Sequence, residues 1–156
     1  MYGPSSSNDR VEFWTELSRV AGLWKRPWVV GGDFNCIRFP SEKKGGSVIT
    51  SALRDFSDWI RRNYLVDLPF QGADFTWSNM QRDPIVRQLD RFLVCSEWLD
   101  IFPDCIERAL ARPISVHCPI LVETDLEDWG PPLFLFELMW ISKTGIVLEN
   151  GGLSKR

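Results

Sequence analysis

Asp33 and Asn35 open the search for chemistry, because a carboxylate and an amide two residues apart can together accept and donate hydrogen bonds to a polar ligand. They follow Trp28-Val29-Val30-Gly31-Gly32, with Phe34 between them. The apolar run reads as a strand buried on both faces. The glycine pair removes side chains where backbone must turn or a ligand must come close. Asp33 and Asn35 then emerge at the carboxyl end of the strand, where open α/β sheets hold their ligands. Taken singly, these eight residues are better described as a buried strand running into an ordinary polar turn. The other candidates lie far downstream. His117 is the sole histidine, beside Cys118 and Pro119, and alone would be an ordinary packed residue. Asp90 interrupts an apolar stretch, where a solvent-facing position or a pairing with Arg87 or Arg91 is the plain explanation.

These residues need a frame, and the apolar spacing supplies one. Val11, Trp14, Leu17, Val20, Ala21 and Trp24 recur at intervals of three and four, which predicts an amphipathic helix over residues 10–24. Arg26-Pro27 closes it before the strand at 28–32. Residues 38–47 form a loop carrying Lys43, Lys44, Gly45 and Gly46. A second helix spans 50–63, with Leu53, Phe56, Trp59 and Ile60 on its buried side. Strands follow at 64–69 and 75–78, a turn at 79–84, and a longer strand at 86–94. Ser96 caps a helical turn that Pro103 closes, and strands at 106–111 and 120–124 flank the segment bearing His117. Beyond residue 125 an acidic connector leads to an apolar patch at 133–141. The organisation is therefore a domain over 1–125 and a connector and tail over 126–156. Helices alternating with strands place the chain in the α/β (α+β) class.

Composition narrows the classes. The 156 residues are 44% hydrophobic and 25% charged, as in a globular protein rather than a disordered one. Eight Trp and ten Phe demand large packing surfaces or a stacking site. A net charge of −3 and a pI near 5.2 exclude a global basic field for nucleic acid; Arg61, Arg62, Arg87 and Arg91 are the basic residues that could help locally. The four cysteines are widely spaced without a Cys-x-x-Cys pair, so reduced, packed thiols are expected rather than zinc or disulfides. No apolar run is long enough for a membrane span, and the first residues do not read as a signal peptide. The expected location is intracellular, nuclear or cytoplasmic.

Several segments stand together in a familiar order. They are Tyr2-Gly3-Pro4, Phe13-Trp14-x-x-Leu17, Gly31-Gly32-Asp33-Phe34-Asn35, and Gly72-Ala73-Asp74-Phe75-Thr76-Trp77-Ser78-Asn79. Gln88-Leu89-Asp90-Arg91-Phe92-Leu93-Val94 and Ser115-Val116-His117-Cys118-Pro119-Ile120 follow. In this order they resemble the endonuclease/exonuclease/phosphatase superfamily, most closely the endonuclease region of LINE-type (non-LTR) retrotransposon proteins. The tail from Pro132 to Trp140 is similar to the segment after that domain in plant-type elements, so the resemblance spans residues 2 to about 142. It implies a β-sandwich flanked by helices and Mg²⁺-assisted phosphodiester hydrolysis. By the same resemblance Asp33 positions or deprotonates the attacking water, and Asn35 bonds a phosphate oxygen. His117 is the second catalytic group, oriented by Asp90, and Tyr2 faces the phosphate. Phe75, Trp77 and Asn79 lie in the nucleic-acid-binding segment, although core packing is the commoner role for such aromatics.

Two departures bear on activity. The resemblance begins near the middle of a complete domain, so the expected architecture is a partial sandwich with its N-terminal half missing, and with it an Asn and a metal-binding Glu. Glu12, Glu16 and Glu42 lie in the wrong context to replace that Glu. Val116 also stands where the family has Asp, and valine offers no oxygen to a hard cation. The expectation is an inactive remnant of a retrotransposon endonuclease, with no metal site of its own and weak DNA binding. The partial sandwich leaves an apolar sheet face; residues 133–140 or a second copy would cover it, or else the product is marginal and aggregates. Two alternatives stay open. One is an active Mg²⁺-dependent phosphodiesterase completed by another chain or a longer gene product. The other is a non-catalytic module binding nucleic acid or protein.

Overall fold

The structure, a computed structural model, describes residues 1–23, 26–46, 50–112 and 114–124, and two strands near the end of the chain. Met1–Leu126 and Glu127–Arg156 form separate compact units. The apolar patch at 133–141 and the connector before it lie outside the described residues.

The first unit is mixed α/β. In chain order its elements are α1 (Ser7–Leu23), β1 (Val29–Asp33), a 3₁₀ turn (Pro40–Glu42), β2 (Lys43–Lys44), α2 (Thr50–Arg62), β3 (Leu65–Asp67), β4 (Phe70–Gln71), β5 (Trp77–Ser78), β6 (Val86–Arg87), β7 (Asp90–Cys95), α3 (Ser96–Ile101), β8 (Ile106–Ala109) and β9 (Ile120–Glu123). They make three small sheets, ordered β1-β7-β3, β2-β6-β5 and β4-β8-β9, in which only the β4–β8 pairing is parallel. In the second unit β10 (Val147–Glu149) and β11 (Gly152–Ser154) pair antiparallel.

The strand expected across 86–94 is two strands. It breaks at Gln88-Leu89, where β6 leaves its sheet and β7 enters another beside β1. The polar residues within that stretch mark the change of sheet rather than a solvent face. β1 is likewise not buried on both faces: Val29 is exposed and the next three residues only half-buried, because β1 has β7 on one side and just residues 1–3 on the other. The glycine pair serves packing, not a ligand. A Cβ on Gly31 would collide with the Phe92 ring, and Gly32, at φ 141°, admits the Met1 backbone. Ser96 is not a cap either; Cys95 takes the cap position of α3, and the Ser96 hydroxyl turns to Glu97.

One face of the β1-β7-β3 sheet is covered by the two long helices. Leu53, Phe56, Trp59 and Ile60 of α2 are buried, as their spacing predicts. Trp14 of α1 stacks on Phe56 and Trp59 at ring separations of 5.1 and 4.9 Å, and Phe34 completes the cluster. Such ring pairs add about 0.5–1.5 kcal/mol each beyond their burial. The Trp59 indole donates to the Trp14 carbonyl at 3.0 Å, fixing the helices against each other. On α1 the buried stripe is narrower than predicted: Val11 and Val20 are exposed, while Phe13 joins Trp14 and Leu17. Leu68, Val94 and Cys105 form a second cluster with Phe92 and α3. All four cysteines are free and buried.

Into the helix-covered side projects one full charge. Arg91 is completely buried, where an unpaired guanidinium would be prohibitively costly. It donates to Asp67 at 2.6 Å, to Glu42 at 2.7 Å and to the Gln88 carbonyl, with the Phe56 ring 5.5 Å away. Arg38 also reaches Asp67, at 3.3 Å, so two cations meet two anions. Although burial works against its charge, Asp67 and Glu42 hold the Arg91 pKa above the usual arginine value. This overturns the reading of Arg91 as a basic residue available to nucleic acid. It also accounts for Glu42, which the sequence left without a role.

Truncating Arg91 removes the shortest contacts of Glu42 and Asp67 and leaves Arg38 as their remaining neighbour at the edge of the core. Arg91→Met is expected to cost about 3–5 kcal/mol in urea unfolding. Arg61→Ala, at an exposed helical pair, should stay within about 0.5 kcal/mol. A loss below about 1 kcal/mol for Arg91→Met would contradict the central role given to this network.

Candidate acid–base site

Antiparallel register sets Asp33 of β1 directly opposite Asp90 of β7. The Phe34 amide donates to the Leu89 carbonyl and the Cys95 amide to that of Trp28. Alternation between those two pairs makes Asp33–Asp90 a non-hydrogen-bonded pair, the kind whose side chains lie closest. Like charges facing each other across a ladder are normally destabilising. Here a third group comes between them. His117 Nδ1 lies 2.9 Å from Asp90 Oδ2, and its Nε2 is 3.8 Å from Asp33 Oδ2. The pairing predicted for Asp90 with Arg87 or Arg91 does not occur, because the strand alternation that buries Arg91 turns Asp90 to the opposite side.

Backbone contacts deliver the histidine. Trp77 and His117 form an antiparallel bridge; the Ser78 amide donates to Val116 at 2.9 Å and the Cys118 amide to Thr76 at 2.6 Å. The 115–118 segment thus lies against β5 through one isolated bridge and two flanking backbone hydrogen bonds. On the other flank, Asp33 exchanges backbone hydrogen bonds with residues 1–3: its amide donates to Met1 at 3.1 Å, and Gly3 donates to its carbonyl at 2.6 Å.

The carboxylates are not equivalent. Asp33 Oδ1 accepts the Asn35 amide at 2.7 Å, whereas Oδ2 is buried without a hydrogen bond. Burial raises the Asp33 pKa, aided by the facing Asp90 and opposed by the Asn35 amide and His117. In the tautomer protonated at Nδ1, the imidazole donates to Asp90 and keeps a lone pair at Nε2 beside Asp33. The arrangement is an oriented imidazole able to take a proton and to be stabilised as imidazolium on both sides.

Of the remaining predicted residues, Asn35, Tyr2 and Trp77 adjoin the cluster through their backbones. Asn35, at φ 50°, uses its side-chain amide to donate to Gly3 at 2.6 Å. Tyr2 borders Asp33 through its backbone, with its side chain largely exposed. Trp77 is half-buried, with the Arg87 guanidinium 5.4 Å over its ring; Phe75 is half-buried as well. Asn79 Oδ1 accepts the Ile85 amide at 3.0 Å and shapes the turn. Val116 is exposed.

Magnesium fits this donor set poorly. Mg²⁺ demands near-octahedral oxygen coordination. Among the described residues Asp33, Asp90 and His117 form a group that could hold a metal ion, with one ligand atom from each lying within 4.8 Å of the others, contrary to the expectation of no metal site. One of its carboxylates is engaged by the imidazole, the imidazole nitrogen is a poor ligand for so hard an ion, and Asp33 Oδ2 is the one buried carboxylate oxygen of the cluster without a hydrogen bond.

Comparison of the sequence with protein-family models finds none that matches, and comparison with curated proteins finds no match either. Among the described residues no helix is long and apolar enough to cross a membrane.

Sequence reasoning missed a second unusual acid. Glu107 of β8 is fully buried, and its Oε2 accepts the Phe92 amide at 2.7 Å while Oε1 has no partner. Its carboxyl replaces a backbone carbonyl where β3 parts from β7. Burial pushes its pKa up to about 8. The sequence signal was a lone acid in an otherwise ordinary strand, indistinguishable from a solvent-facing one.

Because the folded protein holds this proton to higher pH than the unfolded chain does, Glu107 lowers stability as pH rises from about 4.5 to about 8. Glu107→Gln keeps the acceptor without the ionisation. It should raise unfolding free energy at pH 8 by on the order of 2–4 kcal/mol and flatten the pH dependence across that window. Parallel slopes for wild type and variant in urea titrations from pH 5 to 9 would show that Glu107 ionises normally.

Proposed function

We propose that this chain carries the acid–base portion of a phosphodiester-hydrolysing site of the endonuclease/exonuclease/phosphatase lineage, and that alone it hydrolyses DNA little or not at all. One observation carries the reading. His117 sits between Asp90 and Asp33, at 2.9 and 3.8 Å, although the three come from distant parts of the sequence. They are the residues to which the family resemblance gives catalytic roles.

In this site His117 Nε2 accepts the proton of an attacking water, and Asp90 holds the imidazole ring in the tautomer that allows it. Asp33 then faces the imidazolium. The same geometry supports the expectation of low activity. With neutral His117 the two carboxylates present negative charge to a phosphodiester that is itself an anion, and the resulting repulsion must be overcome by a cation. The residues at hand do not fit Mg²⁺, so the site supplies proton transfer without charge neutralisation. The unpartnered Asp33 Oδ2 favours the second reading, completion by another chain bringing its own donors.

Supercoiled plasmid with Mg²⁺ should be nicked at background level by both the wild type and His117→Ala. Nicking above background that the variant loses would overturn the inactive reading. An activated diester such as bis(4-nitrophenyl) phosphate, whose leaving group departs unassisted, should be cleaved on the order of 10- to 100-fold faster by the wild type than by His117→Ala. That lies at or below the usual general acid–base contribution of about 10²–10⁴-fold. Equal rates would remove the acid–base assignment.

A further inference from the structure

Thr76 occupies the point where the two halves of the site are joined. It is completely buried in the strand expected to present aromatics to the core, with half-buried Phe75 and Trp77 on either side. Its hydroxyl accepts the Leu89 amide at 2.9 Å and the Asp90 amide at 3.0 Å, filling both lone pairs. These amides follow the Gln88-Leu89 break, where the chain has left β6 and has only begun to pair with β1. There the regular ladder offers them no carbonyl. The Thr76 backbone serves the other half: its amide donates to Arg87 at 3.0 Å, and its carbonyl accepts the Cys118 amide at 2.6 Å, one residue beyond His117. A single residue thus grips the backbone of Asp90 through its side chain and the backbone next to His117 through its carbonyl.

We propose that Thr76 is the positioning residue that sets the Asp90–His117 hydrogen bond, and with it the tautomer of the catalytic imidazole. This rests on the acid–base reading for its relevance to hydrolysis, but not for its test. Losing the hydroxyl leaves the buried Leu89 amide and the partly buried Asp90 amide without an acceptor. The backbone at Asp90 must then shift, and a hydrogen bond of 2.9 Å does not survive a displacement of an ångström. Serine keeps the hydroxyl in the same place; valine keeps only the shape.

His117 is the sole histidine, so its ring nitrogens give one unambiguous NMR signature in the full chain. The wild type should show the Nδ1–H tautomer with a downfield, slowly exchanging ring proton. Asp90→Asn should abolish that signature, Thr76→Val should abolish it or reduce it to a mixture of tautomers, and Thr76→Ser should retain it. A folded Thr76→Val chain with the wild-type signature would overturn the proposal and leave Thr76 a merely structural residue. A Thr76→Ser chain that lost it would do the same. If Thr76→Val does not fold, Thr76→Cys, whose thiol is a weak acceptor of similar size, is read by the same criterion. Activity reports separately. With the activated diester, a wild type no faster than His117→Ala sinks the acid–base reading while the tautomer result still decides the role of Thr76.

Discussion

The buried guanidinium of Arg91 is the constraint on which the other features depend. A charge at zero exposure fixes its surroundings, because its two terminal nitrogens must find acceptors and each acceptor must come from a defined place, even though Nε stays without one. Glu42 arrives from the 3₁₀ turn, Asp67 from β3 and the Phe56 ring from α2. The hub therefore ties together elements that hydrophobic burial alone would only bring near one another. It also orients β7. With Arg91 committed to the helix side, Asp90 must face the other way, and that side is where β1 supplies Asp33 and the 115–118 segment supplies His117.

Much of the scaffold was legible in the sequence. The stripe Leu53, Phe56, Trp59 and Ile60 of α2 followed from spacing, because a helix packed on a sheet buries one continuous face. The widely separated cysteines were rightly expected to be free and packed. Expectations failed where a residue's environment is created by tertiary pairing. Nothing local marks Gln88-Leu89 as the change of sheet, since Val86 and Phe92 have equal claim to a strand. Arg91 looked like a surface cation because arginine usually is one, and the acids that neutralise it lie 49 and 24 positions away.

The site was partly legible for the same reason. Asp33 and Asn35 announced themselves through their position after an apolar run, whereas Asp90 and His117 gained meaning only through resemblance. Thr76 and Glu107 carried no signal. In β5 and the two residues before it, polar Thr76 and Ser78 are buried while Phe75 and Trp77 are half-exposed, the reverse of the usual order. The inversion arises because the buried side of this strand meets unpaired backbone groups, which hydroxyls satisfy and rings do not.

The alternation along β7 has a final implication for how faithfully this chain can fold. Sliding β7 by one position against β1 would swing the guanidinium into the company meant for an imidazole and press the Asp90 carboxylate among the rings of the helices. Neither misplaced charge would find its counterpart. A mispaired β1–β7 ladder is therefore penalised twice over, and the same two adjacent residues that serve the core and the site act as a proofreading pair for strand alignment.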